Sequence, residues 1–161
     1  MALDDTISLL ERAPLIGRFQ RDALRLLAFS AETRRLRPGD MLFSKGDRSD
    51  GGYVLLRGEI EVLSSRARAG PDRTPDAVVG PGALLGRLAL VMRMKRPSSA
   101  RALTACELMR ISPTLLRRIL AEFPDAAERM HDELAADLAD LTGGLDGVRD
   151  QLLRPPLLPP R

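Results

Sequence analysis

The sequence predicts a mainly β domain with helical flanks: a compact β-roll or jelly roll, preceded by N-terminal helices and followed by a long C-terminal helix. Short strand-like segments separated by glycine turns begin near Thr33, apolar residues at helical spacing precede them, and a long segment with one apolar stripe follows them. With 161 residues and 44% hydrophobic content, the chain can bury a single core.

Four segments follow from these patterns. They are an N-terminal helical segment (1–30), the roll (31–112), the C-terminal helices (113–142), and a short helix with a proline-rich tail (143–161). In the first segment, Pro14 interrupts the apolar periodicity, so two short helices are expected over 6–10 and 18–29.

Seven strands are predicted within the roll, bounded by turns such as Pro38-Gly39-Asp40 and Gly80-Pro81-Gly82. They are 33–36, 41–43, 53–56, 59–63, 77–79, 98–103 and 107–111. The connection from Ser65 to Pro75 is too rich in proline and glycine to be regular. It is either a variable surface hairpin or a contact for an anionic partner through its three arginines.

After the roll, Ser112-Pro113 combines a helix N-cap with proline at the first helical position, and Pro124 begins a second, longer helix. Its apolar stripe consists of Ala127, Met130, Leu134, Leu138 and Leu141, and Gly143-Gly144 is expected to end it. The stripe is interpreted either as packing on its own roll or as a homodimer contact through residues 124–142.

Charges are segregated along the second half of the chain. Residues 87–120 hold eight arginines and lysines against one acid, Glu107, whereas residues 121–150 hold nine acids against two arginines. The two blocks are either complementary surfaces or separate solvated faces.

The segment 82–102 combines a tight glycine turn, a short apolar helix and an arginine. Gly82 and Gly86 permit a backbone approach that a Cβ would block, and the amides at the start of the helix 88–92 would point N–H groups into the turn. Arg96 would then neutralise a bound phosphate. The segment therefore predicts an anion pocket.

This segment resembles the phosphate-binding cassette of the cyclic-nucleotide-binding domain family, the sensor fold of Crp/Fnr-like regulators. The family pattern is a Gly-Glu pair, a short apolar helix, and an arginine nine residues after the glutamate. On that match Gly86 is the glycine, Leu88 and Ala89 begin the helix, and Arg96 pairs with the cyclic phosphate. The order of the turns 37–40, 45–47 and 54–58 extends the resemblance to roughly residues 7–140.

Two positions differ from the family pattern. Arg87 replaces the glutamate that accepts a hydrogen bond from the ribose 2′-hydroxyl, and a guanidinium has only donors. Pro97 follows the arginine where the family offers a backbone N–H. The hydroxyls of Ser98 and Ser99 are candidates to compensate. The resemblance therefore implies a retained but rewired pocket.

Two functions are consistent with this pattern. The first is a stand-alone regulatory module that binds a cyclic nucleotide or another anionic nucleotide, with Arg87 favouring ligands of higher negative charge, such as a linear or doubly phosphorylated nucleotide. Its long acidic helix would signal to a protein partner, or lie over the basic pocket as an electrostatic lid. The second is a degenerate domain in which Arg87 fills the pocket and the roll serves as an interaction subunit.

Other classes are not expected. No nucleophile with a base, no metal-ligand cluster and no P-loop can be assembled, so neither an enzyme nor a cofactor is predicted. About twenty residues follow Thr142, too few for a helix-turn-helix, so specific DNA binding is not predicted. Without a run of about eighteen apolar residues or a basic leader, a cytoplasmic location with no transmembrane segment is expected.

Overall fold

The computed structural model describes residues 2–64 and 77–144, and the side chains of residues 2–64 and 77–136. Four α-helices lie in this part of the chain: α1 (Leu3–Leu10), α2 (Arg21–Ser30), α3 (Pro113–Glu122) and α4 (Pro124–Gly144). The strands are β1 (Glu32–Leu36), β2 (Met41–Phe43), β3 (Gly52–Arg57), β4 (Ile60–Leu63), β5 (Ala77–Val79), β6 (Leu84–Leu85), β7 (Ser99–Ala102) and β8 (Cys106–Ile111). A 3-10 helix, Arg87–Leu90, follows β6.

The strands form two antiparallel four-stranded sheets, with orders β1-β8-β3-β6 and β2-β7-β4-β5. Apolar side chains from both sheets meet in one cluster that includes Leu55, Ile60 and Leu108. The predicted mainly β roll with helical flanks is thereby confirmed.

Strand β3 is buried on both faces, as expected of a strand covered on each side. Tyr53 and Leu55 belong to the cluster inside the roll, whereas Val54 and Leu56 belong to a second cluster under the helices. This alternation follows from the two-residue period of a strand. The helices therefore pack on the back of the strand whose front faces the roll interior.

The start of α4 packs on its own domain. Ala126 and Met130 are buried in the helical cluster, the Gln20 amide donates to Asp125 over 3.0 Å, and Arg129 donates to the Arg18 carbonyl over 2.6 Å. The buried face of α4 begins one residue earlier than the predicted apolar stripe, because Ala126 is buried and Ala127 is only half-buried. The side chains of Leu138 and Leu141 lie outside the described residues, and homodimerisation stays a prediction.

Local differences from the sequence prediction have identifiable causes. Strand β6 was not predicted; its two residues pair with Tyr53 and Val54, so the neighbouring strand determines it. The apolar helix expected over 88–92 is a single 3-10 turn. Helix α2 begins at Arg21 rather than near residue 18, because turns occupy the preceding residues and Leu15 has a positive φ of 69°. The predicted hairpin at 65–75 and the proline-rich tail lie outside the described residues.

Helix α3 begins as the sequence predicts. Ser112 has extended backbone angles and its hydroxyl accepts a hydrogen bond from the Leu115 N–H over 3.1 Å, with proline at the first helical position. This cap joins β8 to the helix that packs beneath the roll, so its loss is expected to be measurable.

We predict that Ser112→Ala lowers the free energy of unfolding by about 1 kcal/mol, because it leaves an N-terminal amide of α3 without its acceptor. Ser8→Ala is the control: the Ser8 hydroxyl is exposed and donates only to the Asp4 carbonyl one turn earlier. Urea unfolding of both variants measures the difference. Equal stabilities of the two variants would contradict a capping role for Ser112.

Candidate functional site

A cavity of about 350 Å³ opens in the roll beside the 3-10 helix. Most of its wall is apolar, and its charged side chains are Arg87 and Arg96. The lining residues are Phe43, Val62, Val79, Leu84, Leu85, Gly86, Arg87, Leu88, Ala89, Met94, Arg96, Pro97 and Ser98.

Arg96 is almost completely buried, with 3% of its surface exposed. Its Nη2 donates to the Asp50 carboxylate over 3.0 Å and to the Gly51 carbonyl over 2.7 Å. The guanidinium carbon also lies 4.2 Å from the centroid of the Phe43 ring. A buried arginine needs such partners because desolvating a charge is costly.

Two donors of Arg96 are not used by the protein. Nε and Nη1 are buried, and neither has a hydrogen-bond partner among the described residues. Nη1 lies so close to Gly86 that a Cβ added there would overlap it. A buried donor without an acceptor costs about 1 to 3 kcal/mol. An anion that enters the cavity can recover this energy through charge-assisted hydrogen bonds.

Gly86 turns the chain into the 3-10 helix. Its φ of 74° lies in the left-handed region that glycine adopts readily. The N–H of Ala89 donates to the Gly86 carbonyl, and those of Val91 and Met92 donate to Leu88, so these three amides are used within the cassette. Near the start of the helix, the Ala89 amide is therefore used by the protein itself. That the opening amides bind an anion stays a prediction.

The Asp50 carboxylate contacts three arginines and the Tyr53 hydroxyl. Besides Arg96, its carboxylate lies 3.8 Å from Arg34 and 3.7 Å from Arg110, and it accepts a hydrogen bond from the Tyr53 hydroxyl at 2.9–3.0 Å. Burial, and then the hydrogen bond to Asp50, raise the pKa of Tyr53 to about 12. Asp50 thus holds Arg96 in position from the loop before β3.

The structure brings together six of the seven residues predicted for the site: Gly86, Arg87, Leu88, Ala89, Arg96 and Ser98 all line the cavity. Ser99 does not line it; on strand β7 it points away from Ser98, and its hydroxyl accepts from the Lys45 N–H over 2.8 Å. Sequence reasoning missed Asp50 and Phe43. In the sequence, Asp50 is recognisable only as part of a turn, because it lies 46 residues from the arginine that it contacts in the fold.

This geometry defines a class: a β-roll with a largely apolar cavity whose wall includes a buried arginine. The family model of the cyclic nucleotide-binding domain matches residues 33–123. The chain therefore belongs to the cyclic nucleotide-binding domain family, whose members act as regulatory domains.

Relatives that contain this domain are diverse. A voltage-gated inwardly rectifying potassium channel of Rattus norvegicus is 31% identical over 148 residues, which cover 89% of this chain and 15% of the channel. A cAMP-dependent protein kinase regulatory subunit of Yarrowia lipolytica is 24% identical over 118 residues, covering 73% of this chain and 30% of that protein. The chain thus spans a minor part of each.

Solved structures agree on the fold. A cyclic nucleotide-binding-like protein of Brucella abortus is 39% identical with a TM-score of 0.64, covering 73% of this chain and 99% of that one. The N-terminal domain of a transcriptional regulator from Streptomyces coelicolor is 29% identical with a TM-score of 0.76, covering 85% and 94%. Across residues 2–64 and 77–144, no helix is long and apolar enough to span a bilayer.

We predict that the free energy of unfolding falls at alkaline pH because Tyr53 ionises. The folded-state pKa of Tyr53, about 12, lies above its ordinary value of 10.0, so the neutral phenol is favoured by folding. This stabilisation is fully present below pH 10 and is lost as the pH rises to 12. It amounts to about 2 to 3 kcal/mol, and Tyr53→Phe is expected to lack that part of the decline.

Urea unfolding at several pH values measures this difference between wild type and Tyr53→Phe. Tyr53 is the only tyrosine and the chain has no tryptophan, so tyrosinate absorbance reports its ionisation directly. A tyrosinate midpoint near pH 10 in the folded protein would contradict the prediction.

Proposed function

We propose that this chain is a regulatory domain that binds an anionic nucleotide in the 350 Å³ cavity and transmits its occupancy through the helices to a protein partner. The observation that carries the proposal is the pair of unsatisfied, buried donors of Arg96 beside Gly86. A phosphate oxygen is a natural acceptor for Nη1, the donor beside Gly86, because a guanidinium forms strong charge-assisted hydrogen bonds with phosphate.

The rest of the cavity suits a nucleoside. Its apolar wall includes Val62, Val79 and Leu84, with Met94 as an adaptable side chain. Its volume lies within the ordinary range for small-molecule sites, about 300–1,000 Å³. The base would contact the apolar wall while the phosphate reaches Arg96.

Arg87 is expected to alter ligand preference. It lines the same cavity as Arg96, at the position where the family pattern has a glutamate. Two guanidinium groups on one cavity favour a ligand with more negative charge than a cyclic mononucleotide carries, such as a linear or doubly phosphorylated nucleotide. Pro97, also on the wall, offers no N–H to a phosphate.

The route to the helices runs through Leu90. This buried residue at the end of the 3-10 helix belongs to the same cluster as Leu116, Ile119 and Met130. A ligand that moves the cassette would therefore press on α3 and α4 through a packed core that transmits small displacements. The named relatives, a channel and a kinase regulatory subunit, support regulation of a partner.

One observation favours the second candidate function, a degenerate interaction domain. Arg96 already has an ion pair with Asp50, so the cassette holds its shape through contacts of the protein itself. No residue of α4 is among those lining the cavity, so the electrostatic lid has no support in the described residues. Ligand binding separates the two candidates.

We expect a thermal-shift screen with cyclic AMP, cyclic GMP, cyclic dinucleotides and guanosine tetraphosphate to identify a stabilising ligand, since a ligand at a hundredfold its Kd adds about 2.7 kcal/mol. Arg96→Lys keeps the charge but loses the paired donors, and is expected to weaken binding about tenfold or more. Calorimetry measures the affinities.

Arg101→Lys is the matched control for that experiment, because Arg101 also pairs with a carboxylate, that of Glu61, but does not line the cavity. Its affinity is expected to equal that of the wild type. If none of the screened ligands stabilises the wild type, the degenerate domain is the better description.

We also predict that Arg87→Glu strengthens binding of cyclic AMP by about 1 to 3 kcal/mol, because it restores an acceptor for the ribose hydroxyl. Arg25→Glu, at an exposed position of α2, is the control for the same change in net charge. Calorimetric titration of both variants compares them. Equal affinities would mean that Pro97 or the cavity shape limits cyclic AMP binding.

A further inference from the structure

A second cavity lies next to the nucleotide cavity and differs from it in charge. It has a volume of about 410 Å³ and is lined by five basic side chains and a single acidic one, Asp50. We call this cavity the basic cleft; its five basic residues are Arg48, Arg93, Lys95, Arg110 and Arg117. Met94 lines both cavities, so they are separated by one layer of residues.

Most of the positive charge in the basic cleft is not compensated. Arg110 pairs with Glu32 at 3.0 Å and approaches Asp50, which is shared with Arg34 and Arg96. Arg48, Arg93, Lys95 and Arg117, by contrast, form no ion pair with a carboxylate of the described residues. Four like charges around one concave space repel one another, and an anion between them relieves that repulsion.

Backbone hydrogen bonds fix the two loops that carry these charges. Arg48 and Lys95 form an antiparallel bridge, the Ser49 N–H donates to the Met94 carbonyl over 2.8 Å, and the Met94 N–H donates to the Ser49 hydroxyl over 3.0 Å. Since the loops are tied together, the main chain that carries the exposed cations is fixed before any ligand arrives, which lowers part of the cost of binding.

The start of α3 closes the third side. Thr114 and Arg117 come from its first turns and Ser112 from its cap. The positive end of the helix dipole adds to the field of the side chains. Four residues of the basic block noted in the sequence, Arg93, Lys95, Arg110 and Arg117, therefore line one concave part of the surface.

We propose that the basic cleft is a second anion site, separate from the nucleotide cavity, and that its ligand is a small molecule with a chain of two or more linked phosphates. The cations come from two loops, a strand and a helix, and an oligophosphate offers them more oxygens and more negative charge than a single phosphate does. Its charge also matches the four uncompensated cations.

Titration of the isotope-labelled full chain with sodium tripolyphosphate, followed by amide chemical shifts, tests the proposal. We expect saturable shifts at Ser49, Lys95 and Thr114, and none with sodium sulfate at equal ionic strength. Arg93→Gln with Arg117→Gln is expected to weaken binding about tenfold or more. The matched control, Arg25→Gln with Arg118→Gln, removes the same charge from outside the cleft and is expected to change affinity less than about twofold.

Three results would overturn the proposal. Shifts confined to Gly86, Ala89 and Ser98 would assign the phosphate to the nucleotide cavity. Equal losses in the cleft and control variants would show a general effect of charge. If size-exclusion chromatography detects a dimer that only the cleft variant abolishes, and tripolyphosphate does not bind, the occupant is an acidic segment of a second copy. Because the test uses no nucleotide, it is independent of the proposed nucleotide function.

Discussion

The site depends on the ion pair between Arg96 and Asp50. A guanidinium with 3% of its surface exposed is stable in the roll only if its charge is compensated, and Asp50 with the Gly51 carbonyl uses just one of its nitrogens. The same pair ties the cassette to the loop before β3, 46 residues earlier in the chain. It therefore fixes the position of the arginine, while two of its nitrogens, Nε and Nη1, have no hydrogen-bond partner among the described residues.

Asp50 is also the electrostatic link between the two cavities. On one side it holds Arg96, and on the other its carboxylate lies 3.7 Å from Arg110, which also donates to the Asp50 carbonyl over 2.8 Å. An anion bound in either cavity, as proposed above, would compete with this carboxylate for a cation. Since Tyr53 donates to the same carboxylate, the ionisation of that phenol is coupled to the network as well.

The sequence predicts those features that are local. Glycine turns delimit most strands, Ser112-Pro113 places the start of α3, and the spacing from Gly86 to Arg96 locates the cassette. Contacts between distant residues are not visible in this way. Asp50 resembles any turn residue until β3 and the cassette are folded together, and β6 exists because Leu84 and Leu85 pair with β3. Which of Ser98 and Ser99 faces the cavity also depends on the register of β7, and that register is determined by pairing with a distant strand.

Strand β3 connects the interior of the roll with the helical cluster outside it. Its front carries Tyr53, bonded to Asp50, and its back carries Val54 in the cluster with Leu90 and Ile119. The backbone of Gly52, at the start of β3, packs against Leu90, and a Cβ there would overlap that side chain. The roll interior and the helical cluster thus both pack against one short stretch of main chain. This close packing supports the proposed route from the cassette to α3, because a packed core transmits small displacements.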